Sequence, residues 1–184
     1  MFTETKNLLS EVAVKKVNFY KSGIIKYLIA SMWAGAYVGF GIFLIMTIGG
    51  LGSESNFPFT KMLMGLSFGI ALSLVIMAGS ELFTGNNMIL TVGALDKKVT
   101  WKDSANIWIW SFIGNAIGST LLGLLLSLTN AAATPTGAFI LKTAATKMNG
   151  DFIPLLVNGI LCNLLVCLAV LCSVKMKSES GKLI

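Results

Sequence analysis

The sequence predicts an all-α integral membrane protein with four spans, the second of them broken. Three observations carry this prediction. The 184 residues are 55% hydrophobic and 12% charged, with a mean hydropathy of +0.80, far from the composition of water-soluble domains. The apolar residues fall into several runs, each close to the ~20 residues a helix needs to cross a bilayer. All 14 basic residues are lysines, with no arginine and no histidine, and they gather at the ends of those runs. The net charge of +6 therefore reads as membrane orientation and excludes nucleic acid as the expected partner.

Residues 1–26 are polar with scattered apolar positions and lysines, and the first long apolar run begins only near Tyr27, so no signal peptide is expected. Phe2, Leu8, Leu9, Val12, Val14, Val17 and Phe19 recur at roughly helical spacing. The expectation is an amphipathic helix at the membrane surface, or an arm docked on a neighbouring subunit. The membrane domain then covers residues 27–184. Its first span, 27–48, carries Gly35 and Gly39 as a small-xxx-small pair that lets helix backbones approach closely. Gly49, Gly50 and Gly52 are expected to end it.

The second span, 62–95, is uncharged from Met62 to Ser80 and again from Met88 to Leu95. Between them stands Glu81-Leu82-Phe83-Thr84-Gly85-Asn86-Asn87. Unpaired backbone groups cost several kcal/mol each in lipid, so non-helical chain at this depth must be buried in protein or line a wet cavity. The stretch 81–87 is thus read as a deliberate break, the kind of place where a permeation path runs. Glu81, Phe83, Gly85 and Asn86 belong to its loop. Glu81 is expected to accept backbone N–H bonds and steady the turn, and Asn86 and Asn87 to begin or cap the second half-helix.

The third span, 106–128, opens on Trp101, Trp108 and Trp110, an interfacial belt. Gly114 and Gly118 give it a close-packing face, with Asn115 as an interhelical hydrogen-bonding group. Residues 129–150 are too short and mixed to span, and are expected to be a loop with a short helix over 138–146. The fourth span is 152–174. Its Cys162, Cys167 and Cys172 are five apart, and each step turns ~140° around a helix. They share no face, so metal binding and disulfides are not expected, and small core residues are.

Four crossings place Lys6, Lys15, Lys16, Lys21, Lys26, Lys97, Lys98, Lys102, Lys175, Lys177 and Lys182 on one side and only Lys61, Lys142 and Lys147 on the other. By the positive-inside rule both ends are cytoplasmic, and the broken segment counts as one full crossing. No enzyme constellation is present: there is no histidine base, no phosphate-cradling glycine loop and no metal-ligand spacing. No cofactor and no metal are expected.

Gly79-Ser80-Glu81-Leu82-Phe83-Thr84-Gly85-Asn86 resembles the signature of the formate/nitrite transporter family, which includes hydrosulfide channels. Ala34-Gly35-Ala36-Tyr37, Gly114-Asn115 with Gly118-Ser119, and the run from Asn158 to Val170 agree with it in order. The resemblance implies an aquaporin-like fold of six helices in two inverted halves. It further implies a homopentamer with one pore per subunit in the bacterial cytoplasmic (inner) membrane, carrying small monovalent anions such as nitrite, formate or hydrosulfide. Leu82 would form an apolar constriction, Thr84 would offer its hydroxyl to the anion, Lys147 falls where the family places a lysine just ahead of the fourth helix, and Asn163 matches a pore-side asparagine. A hydroxyl donor holds an anion weakly enough to release it, half-helix N-termini add positive potential, and a lysine raises local anion concentration. The chain stops at Ile184, where the family's fifth and sixth helices would come next; the fifth carries the second break and the pore histidine. The alternative expectation is a truncated, non-transporting membrane fragment or assembly subunit. A water pore is disfavoured, since the Asn-Pro-Ala pairs of water channels do not occur.

Overall fold

The structure, a computed structural model, describes residues 2–176 and 178; the topology lysines Lys177 and Lys182 lie outside the described residues. The described residues are helical with no strand: α1 Phe2–Ser22, α2 Ile24–Glu54, α3 Thr60–Ser67, α4 Gly69–Ala78, α5 Phe83–Leu95, α6 Trp101–Ser127, α7 Pro135–Met148 and α8 Phe152–Lys175. A short 3-10 turn, Asn130–Ala133, precedes α7. Four helical segments are long and apolar enough to cross a membrane: Ile24–Glu54, Thr60–Ala78, Trp101–Ser127 and Phe152–Lys175.

The central pair is α2 against α6, held close by glycines. A Cβ at Gly35 would run into the backbone of Asn115, and one at Gly118 into the Met32 carbonyl. Gly41 does the same for α4, where a Cβ would stand 2.5 Å from that of Ala71. With apolar solvent on the outside, membrane helices gain from such close packing what water-soluble helices gain from hydrophobic burial.

The first span is longer than its sequence suggests. Gly49, Gly50 and Gly52 stay within α2. Gly49 lies against the Phe139 ring and Gly50 against the Pro135–Thr136 backbone, where a side chain on either would collide. Packing by α7 thus overrides the low helix propensity of glycine. α7 itself is longer than the expected helix at 138–146, because Pro135 at its first turn lacks only an N–H that the helix would not use.

α1 packs one face against α5 of its own chain and leaves the other exposed. Leu9, Ala13 and Val17, at i, i+4 and i+8, are buried with Ile89, Leu90 and Ala94 of α5. Ala13 approaches Gly93 so closely that a Cβ there would stand 2.5 Å from that of Ala13. Two ion pairs fasten α1 to the far end of α5 and the start of α6: Lys6 with Asp96, and Lys21 with Asp103 at 3.0 Å. Val170 near the end of α8 joins the same cluster. Hence α1, the turn before α6 and the end of α8 share one end of the molecule, the end richest in lysine. Cys162 and Cys172 are exposed and Cys167 half-buried, so two of the three cysteines stand outside the core in which the sequence placed them.

Candidate functional site

The second apolar segment is interrupted over four residues, Gly79 to Leu82. α4 ends on Gly79 in the left-handed region, φ 72° and ψ 47°. The Gly79 and Ser80 N–H groups both return to the Val75 carbonyl, a helix stop that favours glycine for its backbone. Space is not the reason, since a Cβ at Gly79 would meet nothing within 4 Å. Leu82 is extended, at φ −90° and ψ 125°, and α5 starts at Phe83. The break is therefore earlier and shorter than 81–87. Phe83, Gly85 and Asn86 are not loop residues but lie in the first two turns of α5, and neither Asn86 nor Asn87 caps it.

Neighbouring helices take up several backbone groups of the break. The Glu81 N–H donates to the Ala30 carbonyl of α2 at 3.3 Å. Asn115 of α6 does more: its Oδ1 accepts from the Phe83 N–H at 2.9 Å, while its Nδ2 donates to the Glu81 carbonyl at 2.9 Å and the Ser31 carbonyl at 2.8 Å. One carboxamide thereby fills the cap position of α5. This is the accounting that chain at membrane depth requires.

Glu81 is buried and held by side chains, not by the backbone N–H groups expected of it. Lys16 of α1 donates to both carboxylate oxygens at 2.8 Å. Tyr27 donates its hydroxyl to Oε2 at 3.1 Å, and Asn86 its amide to the same oxygen at 3.1 Å. Asn86 also donates to the Tyr27 oxygen at 2.9 Å, and its own carbonyl accepts from the Trp108 indole at 3.3 Å. A carboxylate out of water needs both a counter-charge and filled lone pairs, and this one has them. Sequence reasoning missed Lys16, counting it only as an orientation marker, and Tyr27, taken as the edge of a span. The available signal was a lone buried carboxylate, which demands a cation from somewhere in the chain.

Leu82 lines a cavity of about 240 Å³ together with Lys16, Val75, Glu81, Gly85, Ile89 and Val170. Thr84, the second residue of α5, is half-buried, and its carbonyl lies 3.8 Å from the Cys167 sulfur of α8. Its hydroxyl makes no hydrogen bond among the described residues, unlike Thr47 and Thr146, which bond carbonyls four residues back. The Thr84 and Gly85 N–H groups likewise find no acceptor among the described residues. Gly85 is buried, with a Cβ position 3.4 Å from Val170.

Lys147 is elsewhere. In the last turn of α7, it lines an apolar groove of about 520 Å³ with Gly39, Phe43, Met46, Ser119, Leu122 and Ile140. No residue lines both this groove and the cavity at Leu82. Asn163, half-buried on α8, donates to the Gly159 carbonyl one turn back at 2.9 Å. Of the residues the sequence singled out, the structure gathers Glu81, Leu82, Gly85 and Asn86 around one cavity, leaves Thr84 beside them, and brings neither Lys147 nor Asn163 into it. Among the described residues no group of three His, Cys, Asp or Glu could hold a metal ion.

Fold and site together define a multi-span membrane protein organised around a broken helix whose interruption is bonded to its neighbours at Glu81 and Phe83. The chain belongs to the formate/nitrite transporter family, whose model matches residues 3–184. It is similar to the uncharacterized transporter YwcJ of Bacillus subtilis, at 34% identity over all of this chain and 72% of that protein. It is also similar to the nitrite transporter NirC of Salmonella typhimurium, at 39% identity over 92% of this chain and 62% of NirC. The chain thus spans less than two thirds of the NirC length. Among solved structures, an FNT family ion channel superposes with a TM-score of 0.89 at 33% identity, over 98% of this chain and 72% of the other. A pentameric formate channel with formate bound superposes with a TM-score of 0.76 at 26% identity, over 89% and 65%.

Proposed function

We propose that this chain builds part of a channel for small monovalent anions, of the size and charge of nitrite, formate or hydrosulfide, in a bacterial cytoplasmic membrane. The observation that carries the reading is the start of α5. There the Thr84 hydroxyl and the Thr84 and Gly85 N–H groups remain free of protein acceptors among the described residues, at the positive end of a half-helix inside the membrane domain. Donors without a full countercharge suit an ion that must enter and leave. Leu82 beside them serves as the apolar constriction that impedes water and hydrated cations. The ion pair with Lys16 cancels the Glu81 charge, which would otherwise repel an anion at that point. Lys147 serves as an attractor at the groove, raising local anion concentration, and Asn163 keeps a pore-side role only by the family resemblance. The assembly is a homopentamer with the lysine-rich end in the cytoplasm, supported by the pentameric neighbour and the charge asymmetry.

One observation favours a second reading, a membrane subunit that assembles without transporting. The chain covers 62% of NirC, and the most apolar stretch of α8 is only 6% buried, so α8 offers a face to further protein. Reconstitution of this chain into proteoliposomes decides between them. Nitrite or formate influx above that of protein-free vesicles, reduced by Thr84→Val, supports the channel. Absence of influx from correctly inserted oligomers overturns it in favour of the assembly reading. Influx unchanged by Thr84→Val removes Thr84 from the path.

A further inference from the structure

The side chain that Leu82 presents to its cavity is only as well placed as the backbone beneath it. That backbone belongs to no helix: Leu82 is extended and stands between two helix ends. Its two neighbouring peptide groups are the Glu81 carbonyl and the Phe83 N–H, and both bond to a single side chain, the Asn115 carboxamide, at 2.9 Å each. The third bond of the same group, to the Ser31 carbonyl at 2.8 Å, ties the assembly to α2. We infer that Asn115 is the positioning residue of the Leu82 constriction, a planar clamp that fixes the peptide groups on either side of Leu82 and so sets where its side chain stands.

The chemistry asks for this residue type. The clamp must accept one N–H and donate two N–H bonds from one rigid group at short reach, and only a carboxamide has both functions in one plane. Aspartate has the shape but offers lone pairs to two carbonyls. Leucine has the approximate volume and neither function. The reach also explains the glycine at position 35. A Cβ there would collide with the Asn115 backbone, so α6 could not approach α2 closely enough for the amide to meet Ser31. The small-residue face between α2 and α6 thus has a purpose beyond packing: it delivers a polar group to the break. A hydrogen bond of this kind, away from water, resists being lost without replacement, because its partners would then be left unsatisfied.

The inference rests on the reading of Leu82 as a constriction, so its test reads the geometry of the break separately from transport. In a background with Cys162, Cys167 and Cys172 replaced by serine, Leu82→Cys is labelled in detergent-solubilised protein with a small charged methanethiosulfonate. Asn115→Ala, which removes three hydrogen bonds, and Asn115→Asp, which removes two, should each change the labelling rate by at least about tenfold, the effect that even one well-formed hydrogen bond has on a local equilibrium. A cysteine at exposed Ser53 should label as before. Asn115→Asp is the decisive variant, because it conserves volume and packing. If its rate stays within about twofold of the parent, the hydrogen bonds do not position Leu82 and the inference falls. Hydrogen exchange at the Phe83 amide gives a second readout if a variant assembles poorly: acceleration in Asn115→Leu, which keeps the approximate volume and removes the acceptor of the Phe83 N–H, supports the clamp, and an unchanged rate overturns it. In proteoliposomes, loss of the clamp should raise the flux of larger anions relative to nitrite. Altered labelling in a parent that carries no anion overturns the channel reading and leaves the clamp standing.

Discussion

The break between α4 and α5 and the groove beneath α7 belong to one membrane domain, yet they handle polarity in opposite ways. At the break, the side chains of Glu81, Asn86 and Asn115 all have partners. Glu81 is met by Lys16, Tyr27 and Asn86, and the backbone by Asn115 and α2. In the groove the lining is apolar and glycine-rich, and Lys147 is its one charged residue, exposed and without an ion pair among the described residues. The first arrangement fixes geometry, because removing one member strands the others. The second fixes little, and a lone ammonium at its rim acts through potential and not through structure. Paired polar groups and a lone charge thus occupy separate places in the fold.

The comparison breaks most visibly at Lys16. Lys16→Met leaves a buried carboxylate unpaired and should cost about 3 kcal/mol or more. Lys16→Met with Glu81→Gln should recover most of that, measured by denaturant titration of the purified protein; failure of the double variant to recover would mean Lys16 acts by packing alone. Next come the glycines. Gly118→Val drives a side chain into the Met32 carbonyl and should cost about 3 kcal/mol. Gly65→Ala in α3 meets nothing within 4 Å and should be neutral or stabilise by up to about 1 kcal/mol. Gly79→Ala falls between them, near ~1 kcal/mol, because the penalty is left-handed backbone and not space.

A smaller, pH-dependent effect sits at the end of α5. The hydrogen bond from Lys6 holds the Asp96 carboxyl below the ordinary aspartate value of 3.8. With the folded value depressed, the stabilisation is complete above the unfolded value and is lost as pH falls through the folded one. Docking of α1 should therefore loosen only below about pH 4. Pepsin cleavage within residues 2–22 reads it, and Lys6→Met should shift its onset to higher pH. The smallest structural effect is expected at Lys147. Lys147→Ala should leave stability within about 0.5 kcal/mol. It should lower anion influx and flatten its dependence on ionic strength. A marked loss of stability would show that the groove is held by the ammonium after all.

Much of the fold was legible in the sequence because membrane spans obey length and hydropathy, which are local properties. The apolar runs, the existence of a break in the second span and the glycine faces of the first and third all announce themselves within a few residues. The limits were those of local reasoning. Gly49 and Gly50 look like helix breakers until α7 is seen packed on them. Asn86 looks like a cap by residue type, but the cap comes from Asn115 on another helix, 32 positions along the chain from Phe83. Lys16 looks like one orientation lysine among several, because nothing nearby in the sequence tells it apart from Lys15.

What the sequence determined by itself was that the chain crosses a membrane, that its second span is interrupted, and which family's motifs surround the interruption. These conclusions come from the cost of polar backbone in lipid, which acts wherever the residue stands. Tertiary structure alone decided how that cost is met. The counter-charge for Glu81 comes 65 residues upstream and the carboxamide for the break from α6. Hydrogen bonds and ion pairs depend on distances of about 3 Å, and only the packed helices bring residues so far apart in sequence within that reach.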